Sequence, residues 1–187
     1  MGYSVRQRSE CVGTFRWVEV QMMEMLAGWV PTTPEMEVKI LFGRHVWDCA
    51  QHADALGKRA FELRAPLHFS LPAIQAYRGF LGEIAALEAT GDRLGAFYDA
   101  VCPDMSERYR AYLCSTDPLM DEPTVRILET ILRDYERMAV ERKRLAGESL
   151  GLAGAALLPV WNDRQQAMGN IVAHGEDGRR ARAEATQ

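Results

Sequence analysis

Several features are scarce in this chain, and each scarcity closes off a class of function. The four cysteines (Cys11, Cys49, Cys102 and Cys114) lie far apart, with no C-x-x-C pair. Neither a disulfide framework nor a zinc ribbon is expected, and the setting reads as reduced and cytoplasmic. The longest uncharged run, Ser149 to Asn162, is short and glycine-rich, whereas a bilayer-spanning helix needs ~20 apolar residues. No apolar run follows Arg6 and Arg8 to make a signal peptide. Lys and Arg number 22 against 26 Asp and Glu, and the two signs are interleaved. A nucleic-acid surface needs a concentrated basic face instead. Glycine-rich phosphate loops, nucleophile elbows and alternating β-branched runs are also missing. Neither nucleic acid nor membrane is expected as a partner.

What remains is rich in helix formers. With 187 residues, 48% apolar and 26% charged, the chain suits one domain with a real core. A first helix is predicted from about Val12 to Val30, on the stripe Phe15, Val18, Met22, Leu26 and Trp29. Thr32 and Glu35 have capping-box spacing around Pro34, which predicts a second helix reaching about Leu63. Ser70 and Pro72 open a third, closed by Gly91 after Glu88. Two shorter pieces between Asp92 and Asp117 are expected to break around Pro103 and near Pro118. Asp121 is placed as the cap of a fourth long helix, Glu122 to about Ala146, with Pro123 in its first turn.

A linker from Gly147 to Gly154 and a short helix around Trp161 to Met168 follow. The expected architecture is a single all-α domain over 1–172, with four long helices and extra short ones in the crossover and at the C-terminus. The polar tail 173–187 is expected to be disordered.

Function depends on what faces inward. At ~100° per residue, positions spaced three, four and seven apart share a face. On the second helix that face reads Val38, Leu41, His45, Cys49, His52, Leu56, Ala60 and Leu63, with Asp48 on its flank. On the fourth it reads Val125, Leu128, Leu132, Tyr135 and Met138. On the third it contains Ile74, Tyr77, Leu81, Ile84 and Glu88. Glu19 lies beside Val18 and Met22 on the first, roughly level with His45 and Cys49.

The segment GRHVWDCAQHADAL is similar to the second ligand helix of the ferritin-like superfamily, and EPTVRILETILRDYERM resembles its fourth. The resemblance covers roughly Glu10 to Ala146. It implies a ferritin-like four-helix bundle whose two Glu-x-x-His pairs and two single glutamates hold a di-iron centre. By that resemblance His52 stands at a ligand histidine and Cys49 at the glutamate before it. Tyr135 and Met138 stand at the fourth helix's pair, Glu19 at the first-helix glutamate, and Glu83 or Glu88 at the third, of which only Glu88 falls on the seam. Two metal ions need several anionic oxygens. No di-iron centre is therefore expected and no cofactor favoured. A single iron or zinc on His45, Cys49, His52 and Glu19 is the alternative.

The reading favoured is a small-molecule enzyme or binding protein on a ferritin-like scaffold that lacks an intact di-iron site. Acid–base cyclisation, addition or isomerisation in specialised metabolism would fit it. His45, His52, Tyr135 and Glu19 are the catalytic candidates, with Met22, Cys49, Tyr77 and Met138 lining the substrate. The partner would be a small organic molecule. One alternative is a metal-dependent oxidase or oxygenase with a His/Cys/Glu site. The other is a non-catalytic, dimerising helical protein, and Trp17, Trp29 and Trp47 suit packing or a homodimer contact.

Overall fold

In the computed structural model residues 3–147 and 157–173 are described, and every regular element among them is helical. The helices are α1 (Val5–Trp29), α2 (Met36–Glu62), α3 (Gln75–Ala85), α4 (Thr90–Leu94), α5 (Cys102–Ser115), α6 (Glu122–Gly147) and α7 (Leu158–Met168), with a π-helical segment, Gly95–Val101, leading into α5. Among the described residues no helix is long and apolar enough to cross a membrane. The linker expected after Gly147 and the tail from 174 onward lie outside them. Ala173, which the sequence places in that tail, is buried together with Ile171 and Val172.

Helix α1 starts two turns before the expected Val12. Ser4 and Gln7 form a capping box, the Gln7 amide reaching Ser4 Oγ and the Ser4 amide reaching Gln7 Oε1. The polar Arg8 and Glu10 that masked this start are buried. At the other end the Thr32 and Thr33 hydroxyls both donate to the Trp29 carbonyl. The Thr32–Glu35 capping box does not form. Glu35 instead accepts from Thr90, tying the start of α2 to α4.

Ser70 and Pro72 do not open a helix. Residues up to Ile74 run as an irregular strap, pinned where the Leu71 amide donates to Gly13 and the Ile74 amide to Ile171. Helix α3 is accordingly short, and it ends before Glu88, which is exposed, as is Glu83 in its ion pair with Arg164. Neither glutamate faces the interior, which corrects the third-helix seam.

The third long rod of the molecule is the Gly95–Val101 segment continuing into α5. No break occurs at Pro103. A proline ring clashes with the carbonyl four residues back, and the widened π turn directly before Pro103, closed by the Cys102 amide on Phe97, accommodates it.

Four rods pack side by side. Trp29 meets Phe42, and Arg16 lies against Gly57, so α1 and α2 are antiparallel. The pairs His45–Glu141, His52–Asp134 and Arg59–Thr124 make α2 and α6 antiparallel. Tyr112 reaches Asp121 just before α6, while Tyr109 and Arg110 lie opposite Tyr135 and Glu136 farther along it, so α5 is antiparallel to α6 and parallel to α2. A parallel pair cannot be joined by a tight turn, so residues 63–94, including α3 and α4, form a long crossover.

The core fills with wholly buried Val12, Val18, Met22, Leu26, Val38, Phe42, Leu56 and Met105, each such side chain contributing roughly 1.5–3 kcal/mol by leaving water. Phe15 packs edge-on against Tyr109 at 4.9 Å and closes α1 onto α5.

Candidate functional site

The expected face of α2 is the one that turns inward. His45, Cys49 and Leu56 are fully buried and His52 nearly so. On the facing side of α6 stand Asp134, Arg137 and Glu141, at three- and four-residue steps, opposite His52, Asp48 and His45 in turn. Because the helices are antiparallel, the ladders meet residue for residue. The result is a polar seam inside an apolar bundle.

At its centre is Glu19, with no exposed surface. The Tyr109 and Tyr135 hydroxyls donate to its Oε1 at 2.7 and 2.6 Å. His52 Nδ1 donates to Oε2 at 3.1 Å, while His52 Nε2 donates to Asp134 at 3.1 Å. Burial alone depresses the His52 pKa, but Glu19 and Asp134 outweigh it and push it up to about 9. His52 is therefore an imidazolium at neutral pH, clamped between two carboxylates.

His45 has the opposite character. Burial lowers its pKa, and the opposing carboxylate, Glu141, is part-exposed and shared with Arg137. The neutral ring donates from Nε2 to Glu141 at 3.2 Å and accepts the Tyr98 hydroxyl at Nδ1, 2.7 Å away. Arg137 joins the two halves, bonding Asp48 at 2.9 Å, Asp134 at 3.0 Å and Glu141 at 3.3 Å. A continuous chain of hydrogen bonds thus runs from Tyr98 to Tyr109.

Of the sequence candidates, the structure brings together Glu19, His52, Tyr135 and Met22, whose sulfur lies 3.4 Å from the Tyr135 hydroxyl. His45 belongs to the far end of the seam rather than to Glu19. Tyr77 stands apart from it, donating to Asp104 under the Arg108 guanidinium. Cys49 and Met138 are wholly buried. Burial, followed by the Glu19 charge, pushes the Cys49 thiol well up, so it packs as a protonated small hydrophobe. No group of three His, Cys, Asp or Glu among the described residues is arranged to hold a metal ion.

Tyr98, Tyr109, Asp134, Arg137 and Glu141 were not singled out from the sequence. The α6 residues were nonetheless legible: a ladder spaced 134, 137, 141 repeats the steps of 45, 48, 52. The two tyrosines stay hidden in the sequence because they lie on the third rod, which the apolar pattern places at Ser70–Glu88 instead.

Two clefts open near this framework. A small one of about 200 Å³ has Tyr98 and Tyr135 in its wall, with Cys102, Ser106 and Arg110. The larger, about 900 Å³, lies between α1 and α3, away from Glu19. Its walls are Trp17, Met25, Trp29, Leu81 and Leu87, and the exposed Gly28 and Gly82 complete the lining between the helices. A Cβ added at either glycine meets nothing within 4 Å.

No known family model, curated protein or solved structure matches this chain.

Proposed function

We propose that the chain binds a small organic molecule in the α1–α3 cleft, on a ferritin-like scaffold that works without a di-iron centre. Support for the scaffold comes from the order of the rods, two antiparallel pairs joined by one long crossover. Glu19 and His52 stand where the resemblance puts ligands. Tyr109 and Tyr135 supply hydroxyl protons to the carboxylate where a metal centre would supply cations. That seam spends its groups on one another and serves the scaffold.

The reading is carried by the cleft: about 900 Å³, lined by two tryptophans, small residues and a few polar groups. Fluorescence of the neutral dye N-phenyl-1-naphthylamine tests it on the intact protein. Binding in the micromolar range is expected, weakened about tenfold or more by Gly82→Leu with the helical circular dichroism unchanged. Dye binding unaffected by Gly28→Leu and Gly82→Leu alike would remove the cleft from consideration.

A second reading, acid–base catalysis, draws on the smaller cleft. Tyr98 and Tyr135 reach its wall, and behind them lie neutral His45 and the Glu19–His52 pair. Ligand-detected NMR with small ketones should show contact that Tyr98→Phe weakens. Absence of any contact in the wild type rejects catalysis at this place.

A further inference from the structure

Resting on the α1–α3 cleft as the binding site, we infer that its ligand is a planar aromatic monocarboxylate whose anionic end meets Arg93. Arg93 lines the cleft yet is only 5% exposed. Its guanidinium lies 5.7 Å over the Trp29 ring. Nε donates to the Leu87 carbonyl at 2.7 Å and Nη1 to the Thr33 hydroxyl at 3.1 Å, both neutral acceptors. Nη2 has no bond among the described residues, and no carboxylate there comes within ion-pair distance.

A cation withdrawn from water without an anion is costly. The similarly buried Arg8 has Asp121 within 3.9 Å, whereas Arg93 and Arg142 have no carboxylate at ion-pair distance among the described residues. Arg59, equally hidden, has both Asp121 and Glu62. Arg93 is thus a held donor at the cleft, with Nη2 left for an acceptor there. Burial lowers its pKa, with Glu88 the opposing influence.

The rest of the ligand follows from the walls. The half-buried Trp17 offers flat apolar surface beside Leu81 and the buried Trp29, and Gly28 and Gly82 put no side chain into the cleft. Glu24 and Glu88 also line the cleft. Both are exposed carboxylates and repel a dianion more strongly than a monoanion, so a monoanion fits better than a phosphate ester. A carboxylate also matches the planar guanidinium fork. Arg78, at the same cleft, already has a partner and is not required.

The test uses displacement of the neutral dye by 2-naphthoate and by its uncharged isostere, 2-naphthamide. Naphthoate should bind about tenfold tighter or more, and Arg93→Gln should erase that preference while the dye still binds. Glu88→Gln should tighten naphthoate two- to threefold, on the order expected of an exposed charge, and leave naphthamide alone. Equal affinities for the two probes in the wild type, or a preference that survives Arg93→Gln, overturns the inference and leaves the cleft standing. If Arg93→Gln fails to fold, the wild-type comparison and Glu88→Gln decide it. No dye binding at all defeats the cleft reading itself, a distinct result.

Discussion

Among the described residues two carboxylates are wholly buried, and they are held by different kinds of cation. Asp121, at the head of α6, accepts from Arg59 and Thr124 on one oxygen and from Tyr112 and Thr116 on the other. Glu19, in mid-bundle, accepts from Tyr109, Tyr135 and His52. Arginine keeps its charge at every pH a folded protein meets, whereas the imidazolium does not. One hub is a permanent fixture and the other is conditional. Charge at the head of α6 anchors the helix regardless of conditions, while charge in the seam ties the packing of α1, α2 and α6 to proton concentration.

Removing each carboxylate gives the largest effects. Glu19→Ala and Asp121→Ala should each cost about 3–5 kcal/mol in urea unfolding at neutral pH, because each breaks a buried ion pair and strands two tyrosine or threonine hydroxyls that the carboxylate accepted from. Repeating the measurement above the His52 midpoint of about 9 separates them. The Glu19→Ala cost should shrink, since a neutral imidazole needs no counter-charge, and the Asp121→Ala cost should hold. Two costs that move together with pH would erase the distinction between the hubs.

The native protein should carry the same signature at somewhat smaller size. The His52 pKa is raised in the fold, so its stabilisation is complete below the unfolded value of 6.5 and is lost as pH climbs towards about 9. The loss is on the order of 3 kcal/mol. Asp121 runs the other way. Burial pushes its carboxyl up, but hydrogen bonds from Thr124, Tyr112, Arg59 and Thr116 outweigh that and hold its pKa below 3.8. Its contribution is present above that value and lost only as acid protonates the folded carboxylate. Unfolding midpoints across the alkaline range should therefore decline in the wild type and stay level in His52→Gln. A wild-type curve that is flat from neutrality to pH 9 would show that His52 is not held as a cation.

The contrast between hubs also marks what the sequence discloses. Val38 to Leu63 on α2 reads at helical period, and its buried face is the one that period picks out, histidines included. Glu19 falls on the inner face of α1 for the same reason. The Asp121 hub was legible only as a helix start. Its partners Arg59, Tyr112 and Thr116 come from two other elements, and no local pattern announces them.

The π turn at Gly95–Val101 hid the rest. An inserted residue shifts the phase of the apolar stripe, and Pro103 just beyond it looks like a terminator. That pair of features disguised a long rod as fragments and sent the third-helix assignment to Ser70–Glu88. With the rod went Tyr98 and Tyr109. Arg93 stayed inconspicuous because a lone arginine reads as surface, and only its burial against Trp29 sets it apart.

The finest probe of the conditional hub is the Tyr135 hydroxyl. It lies 2.6 Å from Glu19 Oε1, which Tyr109 also serves, while His52 holds the other oxygen. Each hydroxyl withdraws negative charge from the carboxylate. Tyr135→Phe leaves more of that charge facing the imidazolium, and hydrogen bonding to a charged form governs how tightly its proton is kept. The His52 midpoint should consequently rise, by roughly half a pH unit, as followed by NMR titration of its ring protons. Tyr112→Phe is the matched control, removing one hydroxyl from Asp121 and leaving His52 untouched. A midpoint that falls in Tyr135→Phe would mean that the tyrosine supports the ion pair by packing around it rather than by competing for the same carboxylate.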